Sequence, residues 1–266
     1  MITCSLIIST YNWPAALELC LQSIISQTLH PDEIIIGDDG SEAETAKVIS
    51  DFKNSVSIPV SHVWQEDKGF RLAGIRNKCF AIAKGAYIIQ IDGDLILNKK
   101  FIEDHIRFCR PGHFVSGSRV LLSPQTTLNL FKHKSIEITK HSVNNKNLFN
   151  GLHSGWLQHL LALNYKNKGI HKYYVKGCNM AFWKQDLERV NGYNEDFTGW
   201  GKEDSELAIR LINAGIKKRF LKFGGICYHL FHKEVTREME EKNTVMMYEA
   251  QKNKMIRTEN GMDTHK

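Results

Sequence analysis

Short, unbroken apolar runs alternate along this chain with longer stretches in which apolar residues recur every third or fourth position. Residues 4–9 (Cys-Ser-Leu-Ile-Ile-Ser), 33–37 and 87–91 are continuous runs of strand length. Such runs suit strands buried on both faces. Between them, residues 15–27 set Leu17, Leu21, Ile24 and Ile25 at helical spacing behind Pro14, which fits a first helical turn. Further helices are expected over 42–53, with Ser41 as its cap, and over 71–84, stopped by Gly85; a third short strand falls at 61–64. Strand alternating with helix predicts a mostly parallel sheet covered by helices on both faces. Ligands of such sheets lie beyond the carboxyl ends of the strands. Ser9-Thr10-Tyr11, Asp38-Asp39 and Asp92-Gly93-Asp94 should therefore share one rim.

The second half is less regular. Strands are expected over 114–122, 173–183 and 218–229, and an amphipathic helix over 203–213 buries Leu207, Ala208, Leu211 and Ile212. Residues 123–172 are polar, with five histidines, Trp156 and Tyr165, and with a helical patch at 156–163. They read either as part of a binding site or as an ordinary surface insertion. From 236 a charged helix of sparse apolar content should pack loosely, or touch an anionic membrane surface, and fray by 258. No repeat or Pro/Gly/Ser-rich linker divides the chain, so residues 1–235 form one domain followed by a helical tail.

Composition narrows the picture little. Apolar residues make up 42% of the 266, enough for a sizeable core. The net charge of +6 suits anionic partners such as nucleotides, diphosphates or a head-group surface. The basic residues are spread out, which argues against dedicated nucleic-acid binding. Six scattered cysteines, without a Cys-x-x-Cys pair, give neither a disulfide framework nor a zinc ribbon. Met1 leads straight into the first strand, and no apolar run approaches the ~20 residues that span a bilayer. The expectation is a cytoplasmic chain.

The candidate chemistry begins at Asp92-Gly93-Asp94. Two carboxylates one residue apart at a strand end can face one hard cation, although Asp-Gly also closes plain turns. Neither the glycine-rich dinucleotide fingerprint nor a phosphate-cradling loop follows the first strand, and Gly-x-Ser-x-Gly and His-Glu-x-x-His are absent. Phosphates would have to be held by a metal or by basic side chains. Glu203-Asp204 opens a helix; acidic residues there gain ~0.3–1 kcal/mol simply by opposing the macrodipole. The preceding Trp200-Gly201, with an aromatic face and a bare backbone, also suits a sugar. His229 ends a strand, where a histidine is usually structural.

Four motifs in order then carry a resemblance. Ser-Thr-Tyr-Asn (9–12), Asp-Asp-Gly-Ser (38–41), Ala-Gly-Ile-Arg-Asn (73–77) and Ile-Asp-Gly-Asp (91–94) resemble the family 2 inverting glycosyltransferases. Lys176 to Phe182 and Gly192 to Asp204 are similar to the galactosyltransferase-type C-terminal region shared by bacterial chondroitin-type polymerases and β-1,4-galactosyltransferases. The resemblance implies a GT-A fold: an α/β, Rossmann-like, mostly parallel central sheet flanked by helices, with an inserted acceptor-side segment and a C-terminal helix. Its nucleotide-binding half would span about 1–120 and its acceptor-binding half about 121–235. Ser9, Tyr11, Asp39, Arg76, Asp92, Gly93 and Asn179 would line the nucleotide-sugar site, with Arg76 near the nucleobase and diphosphate. Asp94 and His229 would hold Mn²⁺ (or Mg²⁺), with His232 the alternative ligand three residues on. Asp204 would be the catalytic base, and Glu203, Trp200 and Gly201 the acceptor contacts. The implied partners are a nucleotide-sugar, UDP-linked in most relatives, and a glycan or lipid-linked glycan in surface polysaccharide synthesis, reached by peripheral membrane contact. The residues alone also admit a nucleotidyltransferase or a catalytically silent sugar-binding module.

Overall fold

A computed structural model describes residues 2–139, 149–162, 165–233 and 236–266. The expected α/β architecture is present, with a seven-stranded sheet at its centre. In chain order the strands of its first half are β1 (Cys4–Thr10), β2 (Glu33–Asp38), β3 (Val60–Trp64) and β4 (Tyr87–Asp92). Helices α1 (Pro14–Ile25), α2 (Ala43–Ser55) and α3 (Leu72–Ile82) connect them. β3, β2, β1 and β4 lie side by side and parallel. Their unbroken apolar runs follow from burial on both faces: Leu6, Ile8, Ile34, Ile36 and Ile89 enter one core, and Ile7, Ile35 and Ile88 enter the other.

Past β4 the chain makes the short β5 (Leu95–Leu97), then α4 (Phe101–Phe108), β6 (His113–Gly117), β7 (Val120–Leu121), α5 (Pro124–His133) and α6 (Gly155–Leu161). There follow β8 (Asn179–Trp183), α7 (Lys184–Val190), α8 (Glu203–Asn213), β9 (Lys217–Leu221), β10 (Cys227–His229) and α9 (Glu240–Lys252). The main sheet continues β4-β8-β6-β9, with β8 antiparallel to both of its neighbours. β5, β10 and β7 form a separate three-stranded sheet.

Several expectations are corrected. Residues 114–122 are two strands in different sheets, and 218–229 likewise divide between β9 and β10. Only 179–183 of the expected 173–183 strand joins a ladder. Helices α4, α5 and α7 were not among the expected elements. Ser41 does not cap α2: Glu42 holds that position without a side-chain bond, while the Ser41 hydroxyl accepts from the Asn12 backbone N–H at 2.8 Å. The 156–163 patch is helical to Leu161; Leu163, residues 140–148 of the polar segment and the proposed boundary at 235 lie outside the described residues.

The tail is not loose. Asn243, fully buried, donates to the Thr198 carbonyl at 3.1 Å, and Met262, also fully buried, joins the core beneath α3, α7 and α8. The Met262 N–H donates to Asn191 O at 3.0 Å and the Glu195 N–H to Asn260 O at 3.0 Å. Residues 258–266 thus brace the loop that leads into α8. Among the described residues no helix is long and apolar enough to cross a membrane.

Candidate active site

The rim at the carboxyl ends of β1, β2 and β4 gathers the expected polar residues. Tyr11 stands half-exposed there and its hydroxyl donates to Asp67 at 2.8 Å. Asp39 lies behind it, nearly buried, accepting from Gln65 Nε2 and, at 2.8 Å, from the Arg71 N–H. Burial pushes its carboxyl up, and the Gln65 bond opposes that shift. Gly93 passes close to β1, where its N–H donates to Ser9 O at 2.8 Å. A Cβ at Gly93 would sit 3.2 Å from that oxygen and from Thr10, so the turn leaves little room for a side chain.

Arg76 joins the two halves of the rim. Its side chain is 1% exposed, yet its Nη2 reaches Asp92 at 2.9 Å and its Nη1 reaches Asp204 at 3.0 Å. Nε donates to Ser9 Oγ at 3.3 Å, and the guanidinium lies 5.2 Å from the Tyr193 ring centroid. Burial works against its charge, but the Tyr193 oxygen and the Asp204 and Asp92 carboxylates hold it protonated. Arg76, expected near the nucleobase and diphosphate, thus lies beside the donor-side residues Ser9 and Asp92, with its arms occupied between two carboxylates. Sequence reasoning missed Tyr193, whose hydroxyl donates to Asp204 Oδ1 at 2.7 Å. Burial, then the Asp204 charge, raise that phenol well above its ordinary range, so it remains a donor.

Asp204 and Glu203 occupy the first turn of α8, where the helix dipole favours negative charge. Gly177 allows Asp204 this position, since a Cβ there would fall 1.9 Å from Asp204 Oδ2. Glu203 is buried and 3.9 Å from Arg76 Nη1; burial and the adjacent Asp204 charge raise its carboxyl. Gly201 adopts φ +106°, a conformation open to glycine and strained for other residues.

On the other side of Asp92, the Nε2 atoms of His229 and His232 each lie 3.4 Å from Asp94 Oδ2. Nδ1 of His229 faces Leu230 O at 2.9 Å, and Nδ1 of His232 faces Lys233 O at 2.7 Å. A carbonyl only accepts, so Nδ1 donates in both rings and Nε2 is the atom that each turns toward Asp94. Burial first, then Arg119 and His232, hold His229 far down at about 3, and hence neutral. Asp94 Oδ1 is buried without a hydrogen-bond partner among the described residues. Burial, then Asp92, push the Asp94 carboxyl up. Two imidazole nitrogens converging on a buried carboxyl whose anionic form lacks a counter-charge fit a cation between them. The structure thus brings both candidate histidines, not one, to Asp94.

Residues 5–189 match the family described as Glycosyl transferase family 2, more than half of the chain. The chain belongs to glycosyl transferase family 2. Residues 158–233 also match the description N-terminal domain of galactosyltransferase. Among curated relatives of this family 2 chain, the chondroitin synthase of Escherichia coli is 27% identical over 241 residues, covering 85% of this chain but 34% of that protein. The chain therefore spans about a third of that relative's length. The Escherichia coli protein named UDP-Glc:alpha-D-GlcNAc-diphosphoundecaprenol beta-1,3-glucosyltransferase WfaP is 29% identical over 215 residues, covering 81% of this chain and 72% of its own. Solved structures share the fold. The mannosyltransferase PcManGT of Pyrobaculum calidifontis, in complex with GDP-Man and Mn²⁺, aligns at TM-score 0.63 and 16% identity over 95% of this chain and 64% of its own. Residues 1–349 of S. aureus TarS in complex with UDP align at 0.62 and 17%, over 95% and 68%. The expected GT-A architecture is the fold of this family 2 chain.

Two further sites differ from expectation. Asn179 is fully buried; its amide donates to Ser118 O at 2.9 Å and Gly225 O at 3.0 Å, and its oxygen meets His105 Nε2 at 2.9 Å. It ties β8 to the loops after β6 and β9, and is withdrawn from ligand contact. Trp200 carries the Arg237 guanidinium 4.7 Å from its ring centroid, so one face of that ring is already covered.

Proposed function

We propose that this chain transfers a sugar from a nucleotide-sugar, UDP-linked in the first instance, to a hydroxyl of a glycan or lipid-linked glycan, with inversion at the anomeric carbon. The observation that carries the reading is the Arg76 bridge. It places Asp204, a carboxylate with one open flank, on the same rim as Asp92 and the Asp94 cluster. Base and leaving-group site are thus separated but mutually fixed. The neighbours holding UDP, and GDP-Man with Mn²⁺, favour a nucleotide-sugar donor, as do the relatives named for sugar transfer and chondroitin synthesis.

In this reading the nucleobase stacks on Tyr11 and the pyrimidine imide donates to Asp39, whose oxygens each retain a free lone pair. Asp92 keeps its second oxygen for the ribose or the sugar. Asp94, His229 and His232 would hold the cation, and imidazole ligands favour Mn²⁺ over Mg²⁺. Such a cation, when bound, neutralises charge on the departing diphosphate. Asp204 takes the acceptor proton as the hydroxyl oxygen bonds to the anomeric carbon and the carbon–diphosphate bond breaks on the opposite face. Arg76 and the Tyr193 hydroxyl orient the carboxylate for that transfer. Glu203, kept protonated by burial, is placed to hydrogen-bond the acceptor. A lipid-linked acceptor sets the reaction at the cytoplasmic face of a membrane, touched peripherally.

A panel of UDP- and GDP-sugars incubated with the protein, Mn²⁺ and candidate acceptors tests this. Release of UDP, abolished by EDTA, is the expected result. Pyrophosphate release would revive a nucleotidyltransferase, and binding without turnover a silent module.

A further inference from the structure

A polar cavity has in its lining Lys176, the sequence neighbour of the Gly177 on which Asp204 packs. It occupies about 260 Å³ beyond the carboxyl ends of β6 and β9. Arg119, Lys166, Lys176 and Lys222 line it, and among the described residues no acidic side chain does. Among the described residues none of these four forms an ion pair. Instead they crowd one another over aromatic walls: the Lys166 and Lys176 ammoniums each lie 5.0 Å from the Tyr174 ring, and Lys222 lies 6.0 Å from Tyr165. Lys222 is buried and, among the described residues, donates to the Asn150 side-chain oxygen; burial and then Lys166 lower its ammonium. Like charges packed into a half-buried cleft are unfavourable unless an anion joins them, and such clefts concentrate anions.

The cavity adjoins the proposed chemistry on both sides. Lys176 precedes Gly177, the residue against which Asp204 packs. Arg119 donates toward Cys178 Sγ at 3.5 Å; burial works against its charge, and Cys178, then Asp92 and Asp94 of the proposed cation cluster, favour it. The donor diphosphate belongs at that cluster, and Lys166, Lys176 and Lys222 lie beyond it. A single carboxylate would balance one of the three; a diphosphate balances two or more. At about 260 Å³ the cavity is smaller than the ~300–1,000 Å³ of pockets that enclose whole ligands, so it takes one anionic group and not an entire acceptor.

Building on the transferase reading, we propose that this cavity binds the diphosphate of a lipid-linked acceptor, setting its sugar hydroxyl against Asp204. Lysine ammoniums bind phosphate oxygens as point charges, and the aromatic walls offer apolar surface to the first sugar ring.

The test uses inorganic pyrophosphate as the probe, in EDTA, by calorimetry on the whole chain. Wild type should bind it. Lys166→Gln and Lys176→Gln, both at partly exposed positions and checked for unchanged melting, should each weaken it ~10-fold, the loss of one charge-assisted contact. UDP affinity measured with Mn²⁺ should not move in Lys166→Gln. Farnesyl diphosphate should compete with pyrophosphate, whereas a site for free phosphate alone would exclude it and overturn the acceptor assignment. Unchanged pyrophosphate affinity in both variants overturns the proposal, as does a parallel fall in UDP affinity, which would give the cavity to the donor. Nucleotide-sugar turnover without pyrophosphate binding refutes the cavity alone; pyrophosphate binding without any turnover refutes the transferase reading, and the acceptor assignment with it.

Discussion

Replacing Arg76 separates a structural counter-ion from a ligand of the donor. Its guanidinium is 1% exposed and contacts Asp92 at 2.9 Å and Asp204 at 3.0 Å at once. In Arg76→Met these carboxylates, with Glu203 beside them, lose their shared positive charge. Removing one partner of a buried pair costs ~3–5 kcal/mol, and the partial exposure of Asp92 and Asp204 puts this case near the lower end. At ~2–4 °C per kcal/mol, melting should fall by about 6–12 °C. Arg76→Lys keeps the charge but reaches one carboxylate at a time, since an ammonium is a point donor and not a fork. One lost charge-assisted bond, ~1.5–3 kcal/mol, should lower melting by at least about 3 °C. Misplacing Asp204 by the order of 1 Å should lower kcat ~10²-fold at saturating donor. UDP affinity, read by calorimetry with Mn²⁺, should stay within about threefold, because Arg76 makes no donor contact in this reading. A Lys variant with near-normal kcat and UDP binding weakened tenfold or more would refute the bridge and return Arg76 to the diphosphate.

Asp204→Asn keeps size and hydrogen bonding but cannot take a proton, so transfer should fall ~10²–10⁴-fold with donor affinity held; transfer within a few-fold of normal would move the base to Glu203. His229→Ala and His232→Ala, whose Nε2 atoms are both 3.4 Å from Asp94, should each raise the Mn²⁺ concentration for half activity ~10-fold or more, and an effect confined to one would make the other a bystander. Met262→Ala removes a fully buried side chain and should cost ~2–5 kcal/mol in denaturant unfolding; no change would mean that residues 258–266 are loose after all. Burial holds His105 at about 4, below its ordinary 6.5. The unfolded chain therefore takes up a proton, below 6.5, that the fold excludes, and stability that is full above that value should drain by the order of 3 kcal/mol as pH falls to about 4. His105→Gln should flatten that part of a stability-versus-pH curve, and an unaltered slope would assign the acid sensitivity elsewhere.

The strands β1, β2 and β4 were legible because each is buried on both faces, which leaves an unbroken apolar run and an abrupt polar end. The rim residues were legible because they are those ends. β5 was not, nor was the separate pairing of β7 and β10: two or three residues carry no period, and the β5–β10 partners lie up to 134 positions apart, as with His229 beside Leu95. The Arg76 bridge was not legible, because its neutralising carboxylates come from positions 92 and 204. Asn179 sits in a motif that suggests a ligand, but its amide is satisfied by carbonyls at 118 and 225, which no local pattern reveals. Ser41 looks like a helix cap until Asn12, across the rim, claims its oxygen. Met262 stands alone among polar residues, so nothing in its neighbourhood marks it as core.

The antiparallel pairing of β10 with β5 has a consequence for how the cation site is assembled. His229 pairs with Leu95, and the Leu230 N–H donates to Asp94 O at 3.0 Å. The backbone ladder therefore holds ligands from positions 94 and 229 together whether or not an ion is present. Metal-dependent folding, as in small zinc domains, arises where the ligands meet only when the ion gathers them. In the proposed site the ligand pair would be preassembled, and the ion's binding energy would not be consumed in ordering the chain. Chelation and reloading should thus cycle the site on a folded scaffold, with melting rising only by the mass-action term of the added ion.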